Sequence, residues 1–391
     1  MGTGAVSNLL HVFPYGGNTF GMKVASLTFF FLNLSLFLIF FGFSIAKYSV
    51  YPDRWVALTH NPVTSLYLGC FPMGLTTLVN IAVEVIFGYF GFGGRRFLYA
   101  IWSLWWVIVA ISIACCWVGV HIMIVQQNHT FSNMTAMWLL PVVTLIVTAS
   151  SGGVVALALQ AFSPRDALIT VSFSAVIVTV GLTLAFMIMP IYLARLIIHG
   201  LPPGASVLSV FLPLGPTGQS GFAMYLIARN LRTLIPYEHA GASYLLSQPL
   251  MAEFFYGICI AAAFMLWSLA TMWLLYAILA LYSTLPKSPP GFRMSFWGLV
   301  FPNAVYANLT ISLGEAFDST GFKVFGATYA VIVICVWISI ATRSLVELKR
   351  MSDETYFTSM SEKLHRHHTE HNSSSSASEN TVPGELASDS L

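Results

Sequence analysis

Hydrophobic positions in this chain come in long unbroken runs, and polar residues punctuate every second run. Ten apolar segments can be drawn, near 1–13, 20–47, 62–90, 97–125, 134–162, 166–199, 204–232, 248–284, 292–317 and 322–346. Runs of about 20 apolar residues match the roughly 30 Å hydrocarbon core of a bilayer, so most of these segments predict membrane-spanning helices. The interruptions recur: Met1-Gly-Thr-Gly-Ala-Val-Ser7, Phe71-Pro-Met-Gly-Leu-Thr-Thr77, Leu140-Pro-Val-Val-Thr144 with Ser150-Ser-Gly-Gly153, Leu212-Pro-Leu-Gly-Pro-Thr-Gly-Gln-Ser-Gly221 and Phe301-Pro-Asn303. Proline removes a backbone donor and glycine relaxes the backbone, which lipid tolerates only where the freed groups are buried in protein or face a watery cavity. Each interrupted run precedes a run with fewer breaks, giving repeats of roughly 70 residues. The pattern predicts an all-α integral membrane protein: ten transmembrane helices, as five pseudo-symmetric helical hairpins around a central pore.

Domain boundaries follow from the same pattern. Residues 1–346 read as a transmembrane transporter domain, and residues 347–391 as a disordered cytoplasmic tail with His365-Arg-His-His368 and a serine run, Ser373–Ser376. Segment 1–13 is short for a span, which predicts native residues upstream of Met1. Loop charges do not orient the chain, but Arg343, Lys349, Arg350, Lys363 and Arg366 after the last span favour a cytoplasmic C-terminus. Ten spans then place the N-terminus on the same side.

Composition narrows the class further. The chain of 391 residues is 57% hydrophobic and 8% charged, with a mean hydropathy of +0.77, whereas soluble domains carry about 25% charged residues. A net charge of +2 and no basic stripe argue against a nucleic-acid partner. The five cysteines lie in apolar runs without zinc-ligand spacing, so no metal site or cofactor is expected. There is no G-x-S-x-G, H-E-x-x-H, Walker loop or paired Asp motif, and no catalytic residue is assigned. Glu84 and His121 are the most suggestive ionisable groups within spans, and Glu84 is a candidate for proton coupling.

The interrupted segments supply neutral hydrogen-bonding groups: Thr3, Ser7 and Asn8; Thr76, Thr77 and Asn80; Thr144, Ser150 and Ser151; Thr217, Gln219 and Ser220; Asn303 and Asn308. Helix breaks also create half-helix N-termini, whose free N–H groups attract anions. Five such breaks at one axis would suit a small anion, whereas a cation path is expected to carry carboxylates. Small residues also let helices pack closely, which explains any one motif as well. Phe71 and Phe301 stand beside breaks where an aromatic ring can plug a pore.

Several of these strings resemble a known family. Met1-Gly-Thr-Gly with Ser7-Asn-Leu-Leu-His11, Asn61-Pro with Phe71-Pro-Met-Gly74, Trp138-Leu-Leu-Pro141 with Ser151-Gly-Gly153, and above all Leu212–Gly221 resemble the fungal sulfite efflux pumps. Those belong to the tellurite-resistance/dicarboxylate transporter family, together with plant guard-cell anion channels and fungal malate permeases. The resemblance, over residues 1 to about 346, implies ten helices in five hairpins, broken helices innermost around a pore in each protomer, and a homotrimer. It also implies a pore-occluding phenylalanine on the ninth helix, matched here by Phe301. After Phe301-Pro302 the chain reads Asn303-Ala-Val where the family has a small-Gly pair.

Together these features predict multi-pass export of sulfite or bisulfite across the plasma membrane, in contact with membrane lipid, with Phe301 as gate. A malate or dicarboxylate permease and a passive anion channel are alternatives on the same scaffold. A membrane-embedded enzyme using Glu84 and His121 is the alternative from another class, and it requires those two side chains to meet.

Overall fold

The computed structural model describes residues 1–378 apart from 239, 240, 242, 285 and 287–290, with side chains through residue 350. The histidine and serine runs of the expected tail, and Lys287, therefore lie outside the described side chains. Every regular element among the described residues is helical. The chain separates into two units, Met1–Trp337 and Ile338–Leu391. The second is helical as far as Ser378; the first contains the rest of the architecture.

Apart from two short connecting helices, Asp53–His60 and Tyr244–Ser247, two kinds of α-helix alternate along the described residues. Five are short: α1 (Gly2–His11), α3 (Cys70–Ile81), α5 (Leu140–Leu159), α7 (Leu214–Leu234) and α9 (Val300–Ala316). Five are long: α2 (Phe20–Val50), α4 (Gly94–Val125), α6 (Pro164–His199), α8 (Pro249–Thr284) and α10 (Thr320–Ser378). Among the described residues, seven helical stretches are long and apolar enough to cross a membrane: Ser65–Phe87, Ala136–Leu159, α2, α4, α6, α8 and the Thr320–Arg350 part of α10. Helices α1, α7 and α9 fall short by length or by composition.

Burial separates the two kinds. Only 17–33% of the apolar window is buried in the long helices, against 67% and 89% in Ser65–Phe87 and Ala136–Leu159. From Pro141 to Ala156 every residue of α5 is buried, as expected of a helix apolar on all sides. By contrast, the buried residues of α2 are Lys23, Ser26, Phe30 and Asn33, a narrow stripe at spacings of three and four. Its exposed positions are Phe31, Leu38, Phe40 and Phe43. A helix with its polar stripe inward and apolar side outward is built for lipid.

The short helices form a closed ring. Helix α1 packs on α3, α3 on α5, α5 on α7, α7 on α9, and α9 returns to α1. Each of α1, α3, α5 and α7 also packs against the long helix that follows it, as short connections between antiparallel neighbours dictate. Glycine sets the closest approaches. A Cβ on Gly4 would overlap Thr77 and the amide of Asn33, and one on Gly152 would overlap Ser174 and Trp105.

The breaks have a different form from the one the sequence suggests. Four short helices follow a 3₁₀ segment: Ser65–Gly69, Ala136–Leu139, Gly204–Phe211 and Met294–Leu299. Their prolines, Pro72, Pro141, Pro213 and Pro302, sit at this junction, where a missing N–H costs little. The junction residues Gly69, Leu139, Pro213 and Leu299 keep right-handed helical angles. Helical bonding therefore runs through with a change of pitch, as in Leu212 N–H to Ser209 O at 3.0 Å and Gly215 N–H to Leu212 O at 2.9 Å. The expected open half-helix N-termini are largely closed by these bonds, so side chains rather than backbone N–H groups are left to face the centre.

Candidate functional site: a neutral cavity inside the helix ring

All five short helices contribute to one cavity of about 30 Å³, lined by Ala5, Asn8, Thr76, Thr77, Asn80, Val147, Gln219, Phe301, Ala304, Val305 and Asn308. Every lining residue is neutral. Room for a water needs about 10–15 Å³, so the cavity holds about two or three. Phe301, at 7% exposure, forms part of the wall.

Four carboxamides distinguish this cavity from ordinary core. The side-chain oxygens of Asn8, Asn80, Gln219 and Asn308 are buried without a hydrogen-bond partner. Buried polar atoms are normally satisfied, because an unpartnered one costs about 1–3 kcal/mol. The amide of Gln219 donates from Nε2 to Ser150 Oγ, and Ser150 in turn donates to Val147 O at 2.8 Å. A half-turn of a carboxamide exchanges its oxygen for an N–H₂ group, so the same side chains can present donors to an anion.

The sequence-selected residues divide into three groups. Asn8, Thr76, Thr77, Asn80, Gln219, Phe301 and Asn308 line the cavity. The hydroxyls of Thr76 and Thr77 donate to Met73 O and Gly74 O, each at 2.7 Å, and Thr77 accepts from Asn33 Nδ2 at 3.1 Å. Ser150 stands behind Gln219. Ser151 and Ser220 are buried with no partner for their hydroxyls, yet neither lines the cavity.

The remaining residues face neighbouring helices. Thr3 accepts from Trp337 Nε1 at 3.2 Å. Ser7 donates to Ser26 O at 2.6 Å, and Ser26 returns a bond to Ser7 O at 2.8 Å. Thr144 and Thr217 donate to Pro141 O at 2.7 Å and Pro213 O at 2.8 Å, carbonyls of their own helix starts. Asn303 is occupied at both ends, donating to Leu299 O at 2.6 Å and accepting from Tyr329 at 2.6 Å. Phe71 stacks on Phe37 and Phe41 of α2, with ring centroids 5.4 and 5.2 Å apart, and is not among the lining residues.

Glu84 and His121 do not share a site. Glu84 sits in a π-helical turn, Ala82–Phe87, just before the start of α4, and its neighbour is His11, 3.9 Å away between Nε2 and Oε2. His121 is exposed near the far end of α4, about 40 Å along from Gly94 at about 1.5 Å rise per residue. The pairing that an enzyme reading requires is absent.

One group escaped the sequence reading. Lys23, on α2, is 1% exposed; its Nζ lies 2.8 Å from His11 Nδ1 and 3.3 Å from His11 O. A lone lysine early in an otherwise apolar span is the signal that points to it.

Comparison with known proteins finds relatives over most of the chain. A family described as voltage-dependent anion channel, SLAC1, matches residues 1–345. A sulfite efflux pump of Arthroderma benhamiae is 32% identical over 338 residues, covering 86% of each chain. One of Candida albicans is 26% identical over 362 residues, 87% of this chain and 70% of that one. A malic acid transport protein of Schizosaccharomyces pombe is 24% identical over 343 residues, 86% of this chain and 74% of that one. With nearly the whole of its membrane part matched, the chain belongs to the SLAC1 family of anion channels and transporters.

Proposed function

We propose that this protein exports sulfite or bisulfite across the plasma membrane, through a path along the axis of the five-helix ring. The observation that carries this is the neutral cavity to which all five short helices contribute, with four carboxamides whose side-chain oxygens lack a partner and no ionisable lining residue. An anion entering such a site meets carboxamides that can turn their N–H₂ groups toward it, without carboxylates to repel it. Gln219, backed by Ser150, with Thr76 and Thr77, forms the binding wall; Ser151 and Ser220, next to Ser150 and Gln219 in the chain, add buried hydroxyls free of a partner, and Thr3, Ser7, Thr144, Thr217 and Asn303 hold the helices that carry it. Phe301 is the gate: a cavity for two or three waters passes no oxyanion until that ring moves.

In this proposal ten segments of 1–346 span the membrane as five hairpins, both termini are cytoplasmic, residues 347–391 form a cytoplasmic tail, and protomers assemble as a homotrimer. The membrane potential alone drives an anion outward from a negative interior, by about 2.3 kcal/mol per charge per 100 mV. The chemistry is transport, with no covalent step.

Uptake of malate or another dicarboxylate is the second reading, favoured by the similarity to the Schizosaccharomyces pombe protein named for malic acid transport. A dianion with two separated carboxylates calls for a fixed cation at the centre, and the cavity wall holds none. Sulfite efflux and malate flux measured in the same reconstituted vesicles separate the two. Sulfite flux well above malate flux is expected; malate transport without sulfite transport would reverse the assignment.

A further inference from the structure

Beyond the cavity, one turn further along two of its helices, lies a cluster that the neutral wall leaves unexplained. Asn8 and His11 are three residues apart on α1, and Asn80 and Glu84 four apart on α3 and the turn that follows it. Residues at these spacings share a helix face, about 5 Å apart along the axis. The same face that lines the cavity with amides therefore continues into His11 and Glu84, and α2 adds Lys23 to them.

The hydrogen-bond roles follow from the chemistry. A lysine ammonium only donates, so Lys23 Nζ donates to His11 Nδ1 at 2.8 Å. That leaves the imidazole proton on Nε2, facing Glu84 Oε2 across 3.9 Å, too long for a hydrogen bond. Glu84 Oε2 is itself buried with no partner. The cluster thus contains a buried cation, a relay imidazole and an orphaned carboxyl oxygen, a combination that close packing alone does not require. Glu84 also lies in a π-turn, an irregularity frequent at functional positions.

Resting on the transport reading above, we propose that Lys23, His11 and Glu84 form a second anion station on the path, whose attraction for the anion is set by the proton on Glu84. With Glu84 ionised, its charge cancels that of Lys23. With Glu84 protonated, the station carries one net positive charge and draws the anion out of the neutral cavity. Other charged groups near it act less directly. Arg229 of α7 is exposed and acts on Glu84 only through its field, and the ring of Tyr89 lies 5.7 Å from Lys23 Nζ. Arg95 and Arg96, at the near end of α4, are exposed, and α5 carries no charged residue.

The test is sulfite efflux from vesicles containing the full chain, with equal pH on both sides, between about pH 5 and 8. The ratio of variant to wild-type rate cancels the protonation of sulfite itself. For Glu84→Gln, uncharged at every pH, that ratio is expected to climb several-fold as pH rises. Lys23→Gln is expected to slow efflux throughout, with Lys23→Arg restoring it. Asp318→Asn, which removes an exposed carboxylate from a turn, is expected to give a constant ratio. A flat or falling ratio for Glu84→Gln overturns the station, as does undiminished efflux in Lys23→Gln. If Lys23→Gln does not fold, the nearly isosteric Glu84→Gln decides alone. No sulfite efflux by the wild type would instead overturn the transport reading, and the station with it.

Discussion

The α2 helix and the α5 helix are both strongly apolar and both adjoin the ring, yet they bury opposite things. In α2 the inward stripe is Lys23, Ser26, Phe30 and Asn33, and the outward side is phenylalanine and leucine. In α5 the whole surface is inward, and small residues from Thr148 to Gly153 meet Trp105, Ser174 and Leu226. The difference shows what lipid does to a helix. An outer helix has its apolar side solvated by acyl chains, so its specificity rests on a few polar contacts, Ser26 to Ser7 and Asn33 to Thr77. An inner helix has protein on all sides, so steric fit governs it. Changes at the ring should therefore alter transport or folding strongly, and changes on the outer face should do little.

Phe301→Ala should give the largest effect. Removing the ring opens the cavity, and anion flux should rise about a hundredfold, corresponding to a barrier lower by about 2.7 kcal/mol; an unchanged current in voltage-clamped vesicles would remove Phe301 as the gate. Gly4→Val comes next. Its side chain meets Thr77 and Asn33 where three helices cross, and overpacking of this kind costs about 1–3 kcal/mol, readable as a lower thermal midpoint in detergent.

Gln219→Leu tests the wall without disturbing its volume greatly. Loss of a buried amide that answers the anion should slow sulfite efflux by about tenfold, since such partners contribute about 1–3 kcal/mol. Leu38→Ala, at an exposed position on α2, should change stability by no more than about 0.5 kcal/mol; a large loss there would mean that the outer face is covered by something other than lipid.

The smallest effect concerns the turn between α9 and α10. The hydrogen bond and charge of Lys323 hold the Asp318 carboxyl below the ordinary aspartate value. A depressed acid stabilises the fold above its unfolded-state value and loses that contribution as pH falls through the folded one. Because Asp318 is fully exposed, acid titration of Asp318→Asn should scarcely differ from wild type, and a marked difference would point to a larger role for this turn.

Much of the site was legible in the residues. Proline, glycine and hydroxyl or amide groups clustered in alternate runs singled out the helices that line the cavity, because lipid excludes such residues unless protein covers them. Asn8, Thr76, Thr77, Asn80, Gln219 and Asn308 follow from that signal, and Phe301 from its place beside a break and from the resemblance. The same signal did not distinguish a threonine facing the cavity, as at Thr76 and Thr77, from one buried away from it, as at Thr144 and Thr217, since all four bond back to their own helix and satisfy the same rule. Nor could it place Glu84, whose neighbour is a histidine 73 positions earlier, at position 11, and not His121.

By itself the sequence determined the medium, the helical class and the alternation of outer and inner segments, all of which follow from local hydropathy and backbone chemistry. The closure of five short helices into a ring, the turning of Phe71 toward α2 and Phe301 toward the cavity, and the meeting of Lys23, His11 and Glu84 were decided only in three dimensions. Those depend on helix rotation and crossing, which are set by steric fit between residues distant in the chain.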